Sequence, residues 1–432
     1  MRISLALLIL IWACQIQAQL MIEIKEGIDN PTPIAVVPFG WHVKGEPFQD
    51  VADIVRSDLS RTGLFSLLAK GDMLSRPEQP FEVYYRDWRA LNQDYVIIGK
   101  VTRNKADTNL LTIEYHLIDV VRQQQLLSKK MLANSNALRD VAHRISDQIF
   151  EKLTNIPGAF STKILYVSSE HPKQGKAIYR LWVADADGAR ARVILESLEP
   201  ILSPAWSPDG KQIAYVSFED KRPAIFKQDI ASGKRQKLTN FKGLNGSPSW
   251  SPDGKKLAMV LSKDGSPSIY IMDLASQQLK MVGSHRFAID TEPQWMPDGK
   301  SLIFTSNRGG GPQIYQYTLA SGKVSRVTFE GRYNARGRPI PDGSGIVMVH
   351  QNEKNFHIAR LDFSTGRVRL LTNTRLDESP SIAANGSMIM YATKRNNEGV
   401  LAAVSIDGRI SFILPSKGEE VREPAWSPFF NN

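Results

Sequence analysis

From residue 163 onward, the chain repeats one pattern of hydrophobic and polar positions. Each copy has a short strand that ends near a tryptophan, a turn such as Pro-Asp-Gly, and an apolar strand such as residues 212–217. The residues in the tryptophan slot lie 43 to 45 positions apart and are Trp206, Trp250, Trp295, Pro339, Ile382 and Trp426. A period of this length is typical of a β-propeller, because one blade cannot bury both of its own faces.

The two ends of the repeated region predict how the ring closes. We name the strand before the turn A and the three strands after it B, C and D. Residues 163–195 provide B, C and D but no A, whereas residues 423–426 provide A with nothing after it. Joined as one blade, these fragments give six blades and leave no open sheet edge at the closure.

The same strand order sorts the connections of the propeller onto two faces. The A–B and C–D turns are short and lie on one face, while the longer B–C and D–A loops lie on the other. Varied loops on a rigid scaffold commonly carry recognition, so we expect partners on the long-loop face. The residues that precede each Pro-x-Trp position enter the channel mouth there and are Ser203, Ser247, Glu292, Arg336, Ser379 and Glu423.

The N-terminus reads as an export signal over residues 1–18. Its apolar run from Ile3 to Ala13 is too short for a bilayer span, which needs roughly 20 residues. An alternative is lipoprotein processing before Cys14. No later segment is apolar enough to predict a transmembrane helix in the mature chain.

A leader and an α/β domain precede the propeller. In the leader, residues 19–33, apolar and charged residues alternate, which suits a docking peptide or an added strand; the alternative is a first edge strand of the next domain. Residues 34–158 predict the α/β domain, with helices over Asp50–Leu64 and Leu138–Leu153 and a hinge at Pro157-Gly158. The predicted fold is thus an α/β N-terminal domain followed, over residues 159–432, by an all-β six-bladed β-propeller.

Composition and motifs argue against catalysis, metal binding and nucleic-acid binding. The formal net charge is +10, yet the 54 Lys and Arg residues are interspersed with 44 Asp and Glu, as on a solvated mixed surface. The seven histidines show no metal-ligand spacing, and no G-x-S-x-G elbow occurs. The repeated aspartates fit turn formation better than calcium binding. We therefore predict no enzyme activity, cofactor or metal.

The whole chain resembles the TolB family, the periplasmic proteins of the Tol-Pal envelope system. The residues that carry this resemblance are the signal, the segments Pro33–Phe39, Ile54–Phe65 and Asp94–Gly99, and the Trp-Ser-Pro-Asp-Gly repeats. The resemblance implies a non-catalytic adaptor in the periplasm, expected to be a monomer. It would support outer-membrane invagination during cell division and envelope integrity, and bacteriocins exploit such systems. The alternative function is a glycan- or polyanion-binding propeller.

The resemblance also implies two partners and where each would bind. The inner-membrane protein TolA would bind the leader, at Leu20, Ile22, Glu23, Ile24, Lys25, Glu26 and Gly27. The lipoprotein Pal would bind the long-loop face of the propeller, at the six channel-mouth residues named above and at Leu244, Asn245 and Thr291.

Overall fold

The computed structural model describes residues 21–24 as backbone, and residues 30–430 except 48, 173–174, 284, 286 and 415–418. The predicted signal, residues 1–18, and the leader residues Leu20, Lys25, Glu26 and Gly27 lie outside the described residues. Over the described chain, a leader strand β1 (Met21–Ile24) is followed by an α/β sheet and then by six antiparallel sheets. No helix among the described residues is both long and apolar enough to span a membrane.

The α/β part is built on one mixed sheet. Its strands are β2 (Thr32–Val36), β3 (Gly40–His42), β4 (Phe65–Leu67), β5 (Tyr95–Arg103), β6 (Leu111–Asp119) and β7 (Gln124–Ala133). Their order is β4-β2-β5-β6-β7, with β3 also paired to β5. Strand β2 runs parallel to β4 and β5, whereas β5, β6 and β7 are antiparallel. The helices are α1 (Val51–Arg61), α2 (Tyr85–Ala90) and α3 (Leu138–Thr154), with 3₁₀ turns at Lys70–Asp72, Pro80–Glu82 and Ser135–Ala137.

Helices α1 and α3 share one apolar cluster with the sheet, whereas Trp88 of α2 belongs to a second cluster. Helix α1 begins after Asp50, whose side chain accepts a hydrogen bond from the Asp53 N–H at 3.1 Å. The spacing predicts a helix within Asp50–Leu64 with Gly63 as its stop, and the helix ends two residues before that glycine. The helix ends at Arg61 because Gly63 adopts a φ of 63°, and β4 follows directly.

The propeller consists of six four-stranded blades, as the repeat predicted. In each blade, strand A is innermost and strand D is outermost. In A–D order, blade 1 consists of β31 (Glu420–Trp426), β8 (Lys163–Glu170), β9 (Ile178–Asp185) and β10 (Arg192–Ser197), and blade 2 of β11 (Ile201–Trp206), β12 (Gln212–Ser217), β13 (Ala224–Asp229) and β14 (Arg235–Lys237). Blade 3 consists of β15 (Asn245–Trp250), β16 (Lys256–Leu261), β17 (Ser268–Asp273) and β18 (Leu279–Val282), and blade 4 of β19 (Asp290–Trp295), β20 (Ser301–Ser306), β21 (Gln313–Thr318) and β22 (Val324–Arg326). Blade 5 consists of β23 (Asn334–Pro339), β24 (Gly345–Asn352), β25 (Asn355–Asp362) and β26 (Val368–Leu370), and blade 6 of β27 (Glu378–Ile382), β28 (Met388–Arg395), β29 (Glu398–Ser405) and β30 (Ile410–Ile413).

The ring closes where the sequence predicted. Strand β31, from the C-terminal end, pairs antiparallel with β8, and Trp426 lies opposite Ile164. The Ser427 N–H donates to the Lys163 carbonyl at 2.9 Å, and the Lys163 N–H donates to the Ser427 hydroxyl at 3.0 Å. The two ends of the propeller therefore share one sheet.

Two features of the repeat have clear structural roles. In the first turn, the Asp209 carboxylate accepts from the Lys211 N–H at 3.0 Å, and Gly210 has a φ of 69°. The repeated tryptophans pack between blades: Trp206 donates its indole N–H to the Ala425 carbonyl of blade 1 at 3.0 Å, and Trp295 donates to the Ser249 carbonyl of blade 3 at 3.1 Å. These two bonds join the inner strands of blades 2 and 4 to the blade before each.

Candidate functional site

The six channel-mouth residues share one backbone conformation. All of them have φ between 47° and 56°, in the left-handed region that residues other than glycine seldom adopt. At each of them the pairing between strands A and B is interrupted, for example between Leu202 and Ala205 in blade 2. Each inner strand therefore carries a bulge at the same level, and the six bulges encircle the mouth of the channel.

Charged side chains connect several of these bulges. The Glu292 carboxylate accepts from the Arg336 Nε at 2.9 Å, from the Arg336 backbone N–H at 3.0 Å and from the Thr305 hydroxyl at 2.9 Å. The Glu423 carboxylate accepts from the Ser203 N–H and lies 4.0 Å from Arg336, which also donates to the Ser379 hydroxyl. These bonds tie blades 4, 5, 6, 1 and 2 together at the channel.

The electrostatic environment shifts the ionisation of these groups. Burial raises the pKa of Glu423 above its usual range, and Arg336 offsets this only in part. For Arg336 itself, burial lowers the pKa, but Glu292 and Glu423 outweigh burial and hold the pKa above its ordinary value. The Arg336 guanidinium is thus a permanently charged bridge between two carboxylates.

The channel contains a cavity of about 360 Å³. Besides the bulge residues, Arg338 lines it, two residues beyond Arg336 on β23. Burial lowers the pKa of Arg338 to about 10. Sequence reasoning missed Arg338, because the bulge at Arg336 interrupts the regular alternation that would show which side of the strand it lies on.

The residues predicted for Pal differ in what they can offer a partner. Leu244 is 39% exposed, and Thr291 is half-buried at the channel mouth. Asn245 is fully buried, and its side-chain amide donates to the Phe241 and Gly243 carbonyls at 2.8 and 3.2 Å. Asn245 therefore stabilises the loop that exposes Leu244, and its own side chain is not accessible to a partner.

Large exposed apolar residues lie on the D–A loops at this mouth, and the repeat pattern alone does not reveal them. Their exposed fractions range from 50% for Ile289 and Leu376 to 74% for Phe329 and 80% for Phe287. Bulky apolar residues between the outer strand of one blade and the inner strand of the next were the available signal. With Leu244 they form what we call the apolar rim, a surface of the kind that marks protein interaction sites.

The leader strand β1 pairs with the propeller, whereas the last two leader residues, Thr32 and Pro33, begin β2 of the α/β sheet. Strand β1 pairs antiparallel with β30, so that Met21 lies opposite Ile413 and Ile24 lies opposite Ile410. The leader thus adds a fifth strand to the outer edge of blade 6. Of the residues predicted to bind TolA, Ile22, Glu23 and Ile24 lie in this strand.

An apolar groove lies beside this strand, between the α/β part and the propeller. Its volume is about 420 Å³. Leu64 and Phe150 line it from the α/β part, and Ile410 and Phe412 line it from strand β30 of blade 6. The edge that carries the leader is therefore also a wall of the groove between the two parts.

A buried cluster of ion pairs joins the α/β part to blade 1. The Asp185 carboxylate of β9 accepts from the Lys163 Nζ at 2.6 Å, from the Arg190 Nε at 2.7 Å and from the Arg139 Nε of α3 at 3.1 Å. Burial by itself raises the pKa of Asp185, but the bonds from Arg190 and Lys163 outweigh it and hold the pKa at about 2. Asp185 is therefore an anion whenever the protein is folded near neutral pH.

The same interface brings together three side chains that are chemically suited to a metal. Ligand atoms of Asp58, His143 and Asp187 lie within 4.8 Å of one another. However, Asp58 already accepts from His143 Nδ1 at 2.7 Å and from Arg61 at 2.5 Å, and Asp187 accepts from Arg139. With two guanidinium groups in the cluster, the arrangement is better suited to holding the two parts together than to holding a cation.

Comparison with known proteins agrees with this architecture. Residues 20–126 match the TolB amino-terminal domain, and residues 150–430 match the TolB beta propeller domain. The Tol-Pal system protein TolB of Pseudomonas aeruginosa is 51% identical over 417 residues, covering 96% of both chains. That of Alcanivorax borkumensis is 50% identical over 430 residues, covering 99% of this chain and 98% of the relative.

A solved structure shows the same three-dimensional arrangement. The crystal structure of TolB from Acinetobacter baumannii superposes with a TM-score of 0.87 at 44% sequence identity. The superposition covers 95% of this chain and all of the other. Both family domains are present in order, relatives match nearly end to end, and a solved structure superposes on almost the whole chain. The chain therefore belongs to the TolB family of Tol-Pal system proteins.

Proposed function

We propose that this Tol-Pal component is a non-catalytic periplasmic adaptor with two binding elements. The apolar rim and channel mouth of the propeller bind the peptidoglycan-associated lipoprotein Pal of the outer membrane. The leader binds the C-terminal domain of the inner-membrane protein TolA. An adaptor of this kind links the two membranes, supports outer-membrane invagination during division, and offers bacteriocins a route of entry.

The rim has the physical properties of a protein-binding surface. Phe287 and Phe329 are mostly exposed on loops held by rigid blades, so little conformational entropy is lost when a partner covers them. The charged groups next to them at the mouth, Glu292 and Arg336, already satisfy each other. Apolar anchors beside paired charges are common at the centres of protein interfaces.

The observation that carries the proposal is the placement of the leader. Strand β1 is only four residues long and pairs with a single neighbour, β30. Each cross-strand pair contributes roughly 0.2–1 kcal/mol. The binding free energy of a competing partner can therefore exceed what is needed to release the whole strand. An extended segment released from one sheet edge can add to another, which is a common mode of peptide recognition.

Blade 6 offers a physical route between the two binding elements. Its inner strand β27 carries Ser379, which accepts a hydrogen bond from Arg336 at the channel mouth. Its outer strand β30 carries the leader. A partner that changes the channel mouth therefore acts on the sheet that holds the leader, and any coupling between Pal and TolA must be reciprocal in affinity.

The leader assignment can be tested with a reversible lock. Glu23 and Ser411 are register partners, and the sequence contains one cysteine, Cys14, within the predicted signal. In mature protein without Cys14, the double variant Glu23→Cys, Ser411→Cys should lose TolA binding when oxidised and regain it on reduction. Isothermal titration calorimetry with the TolA and Pal domains measures both affinities.

The controls separate the two binding elements. Deletion of residues 19–28 should abolish TolA binding in either redox state while leaving Pal binding measurable. Each single cysteine variant should bind TolA regardless of reductant. TolA binding that survives both the deletion and the oxidised lock would show that the leader is not the TolA site, and absence of Pal binding in every variant would defeat the role of the rim.

A further inference from the structure

The two arginines of the channel are in different situations. Arg336 pairs with Glu292 at 2.9 Å and lies near Glu423. Arg338, on the same strand, has one hydrogen bond to a described protein group, from Nη1 to the Gly337 carbonyl at 3.3 Å. No carboxylate in the described chain forms an ion pair with it. Arg338 is half-buried and lines the channel cavity.

Glu292 and Glu423 act on the Arg338 guanidinium only at longer range, so its hydrogen-bond donors have no carboxylate partner among the described residues. The guanidinium carries five N–H donors in a planar fork that matches the two oxygens of a carboxylate. Arg338 is half-buried, and burial lowers its pKa to about 10, which leaves it charged at neutral pH. An anion from outside the chain would restore the missing interactions.

The rest of the channel lining supplies polar partners for such an anion. Ser247, Ser249 and Ser381 line the same cavity. Ser249 donates to Gln294 Oε1 at 3.4 Å, which leaves the Gln294 amide N–H₂ as a further donor. Donors therefore predominate among the channel groups that are not already paired.

The channel is poorly suited to a divalent cation. Calcium needs six to eight oxygen ligands, several of them from carboxylates. The two carboxylates of the lining are Glu292 and Glu423, and both are occupied, by Arg336 and by the Ser203 N–H respectively. A cation would have to displace Arg336 and would then lie beside a second guanidinium.

We propose that the propeller channel is a carboxylate-binding site, in which Arg338 holds the two oxygens of the ligand and the channel serines and Gln294 orient it. The carboxylate belongs either to a small free anion or to an acidic side chain that a rim-bound protein inserts into the channel. The site does not depend on the adaptor function, since it follows from the channel alone.

The channel has a built-in reporter, because Trp206, Trp250, Trp295 and Trp426 line the same cavity. The mature protein is titrated with sodium succinate at constant ionic strength while its tryptophan fluorescence is followed. We expect a saturable change in the wild type and an affinity at least tenfold weaker in Arg338→Gln, with Arg338→Lys in between. Arg369→Gln, on the outer strand of the same blade, is the matched control and should behave as wild type.

A second arm identifies the source of the carboxylate. Calorimetry measures the affinity of the Pal domain for the wild type, Arg338→Gln and Arg369→Gln, and thermal unfolding confirms that the variants are folded. A succinate response that requires Arg338 assigns a free anion, and a Pal affinity that requires Arg338 assigns a side chain of the partner. If neither depends on Arg338, the proposal is overturned. If Pal fails to bind even the wild type, the adaptor proposal fails while the succinate result still decides this one.

Discussion

At the scale of single residues, the channel mouth is defined by backbone conformation more than by side-chain type. Serine, glutamate and arginine occupy equivalent bulges with φ near 50°. The repeat identified these positions from sequence, since each lies just before the Pro-x-Trp slot. Their left-handed conformation was not predictable, because none of the six is glycine or asparagine, the residues that usually signal it.

This conformation predicts an unusual order of substitutions at Ser247, whose φ is 47°. A left-handed residue costs roughly 1–2 kcal/mol relative to glycine, and a β-branched residue costs more. We therefore expect Ser247→Gly to keep or slightly raise the free energy of unfolding and Ser247→Val to lower it by about 2 kcal/mol. Urea denaturation measures both. Equal destabilisation by Gly and Val would mean that the lost hydroxyl, and not the backbone, matters at this position.

At the scale of secondary-structure elements, the repeated strands could be predicted from sequence, whereas elements and contacts that occur only once could not. The apolar strands after each Pro-Asp-Gly turn were recognised because their alternation and turn chemistry are local. Helix α2 and the pairing of β1 with β30 were missed. The leader strand pairs with residues about 390 positions away, and no local pattern encodes the register of so distant a contact.

The interface between α1, α3 and blade 1 also depends on distant residues, and it predicts acid sensitivity. The pKa of Asp185 is about 2 in the folded protein against an ordinary value of 3.8. Because the folded-state pKa is lowered, its stabilisation is complete above pH 4 and is lost as the pH falls towards 2. We expect Asp185→Asn to lower the free energy of unfolding by about 3 kcal/mol at pH 7 and to flatten its dependence on pH between 4 and 2.

Thermal unfolding at pH 7, 4, 3 and 2 tests this prediction. Asp72→Asn, at an exposed aspartate in the 3₁₀ turn of the α/β part, is the control and should retain the wild-type profile. If Asp185→Asn kept the wild-type loss of stability between pH 4 and 2, other carboxylates would be responsible for the acid sensitivity.

At the scale of the whole molecule, the ring is held shut by its own C-terminal strand. Trp426 is central to this closure: its indole N–H donates to the Thr162 hydroxyl at 2.7 Å, and its backbone N–H donates to the Ser381 hydroxyl of blade 6 at 2.8 Å. Beyond it, Phe430 packs edge-on against Trp206 of blade 2, with ring centroids 6.1 Å apart. Residues 426–430 therefore contact blades 1, 6 and 2, and these contacts hold the ring closed.

Because of this closure, we expect that the position of a tryptophan in the chain determines which part of the propeller its removal destabilises. Trp426→Ala and Trp295→Ala each remove an indole that packs between blades, and each should cost about 3 kcal/mol. Trp295 lies in a blade whose strands are continuous in sequence, so its loss should lower stability across the ring. Trp426 lies on β31, which joins its blade by pairing with β8 and not through a turn, so its loss should let β31 detach from β8 before the rest unfolds. Hydrogen exchange should then accelerate selectively in residues 163–170 for Trp426→Ala but not for Trp295→Ala. Uniform acceleration in both variants would show that the ring unfolds as one unit and that the C-terminal strand is no weaker than any other.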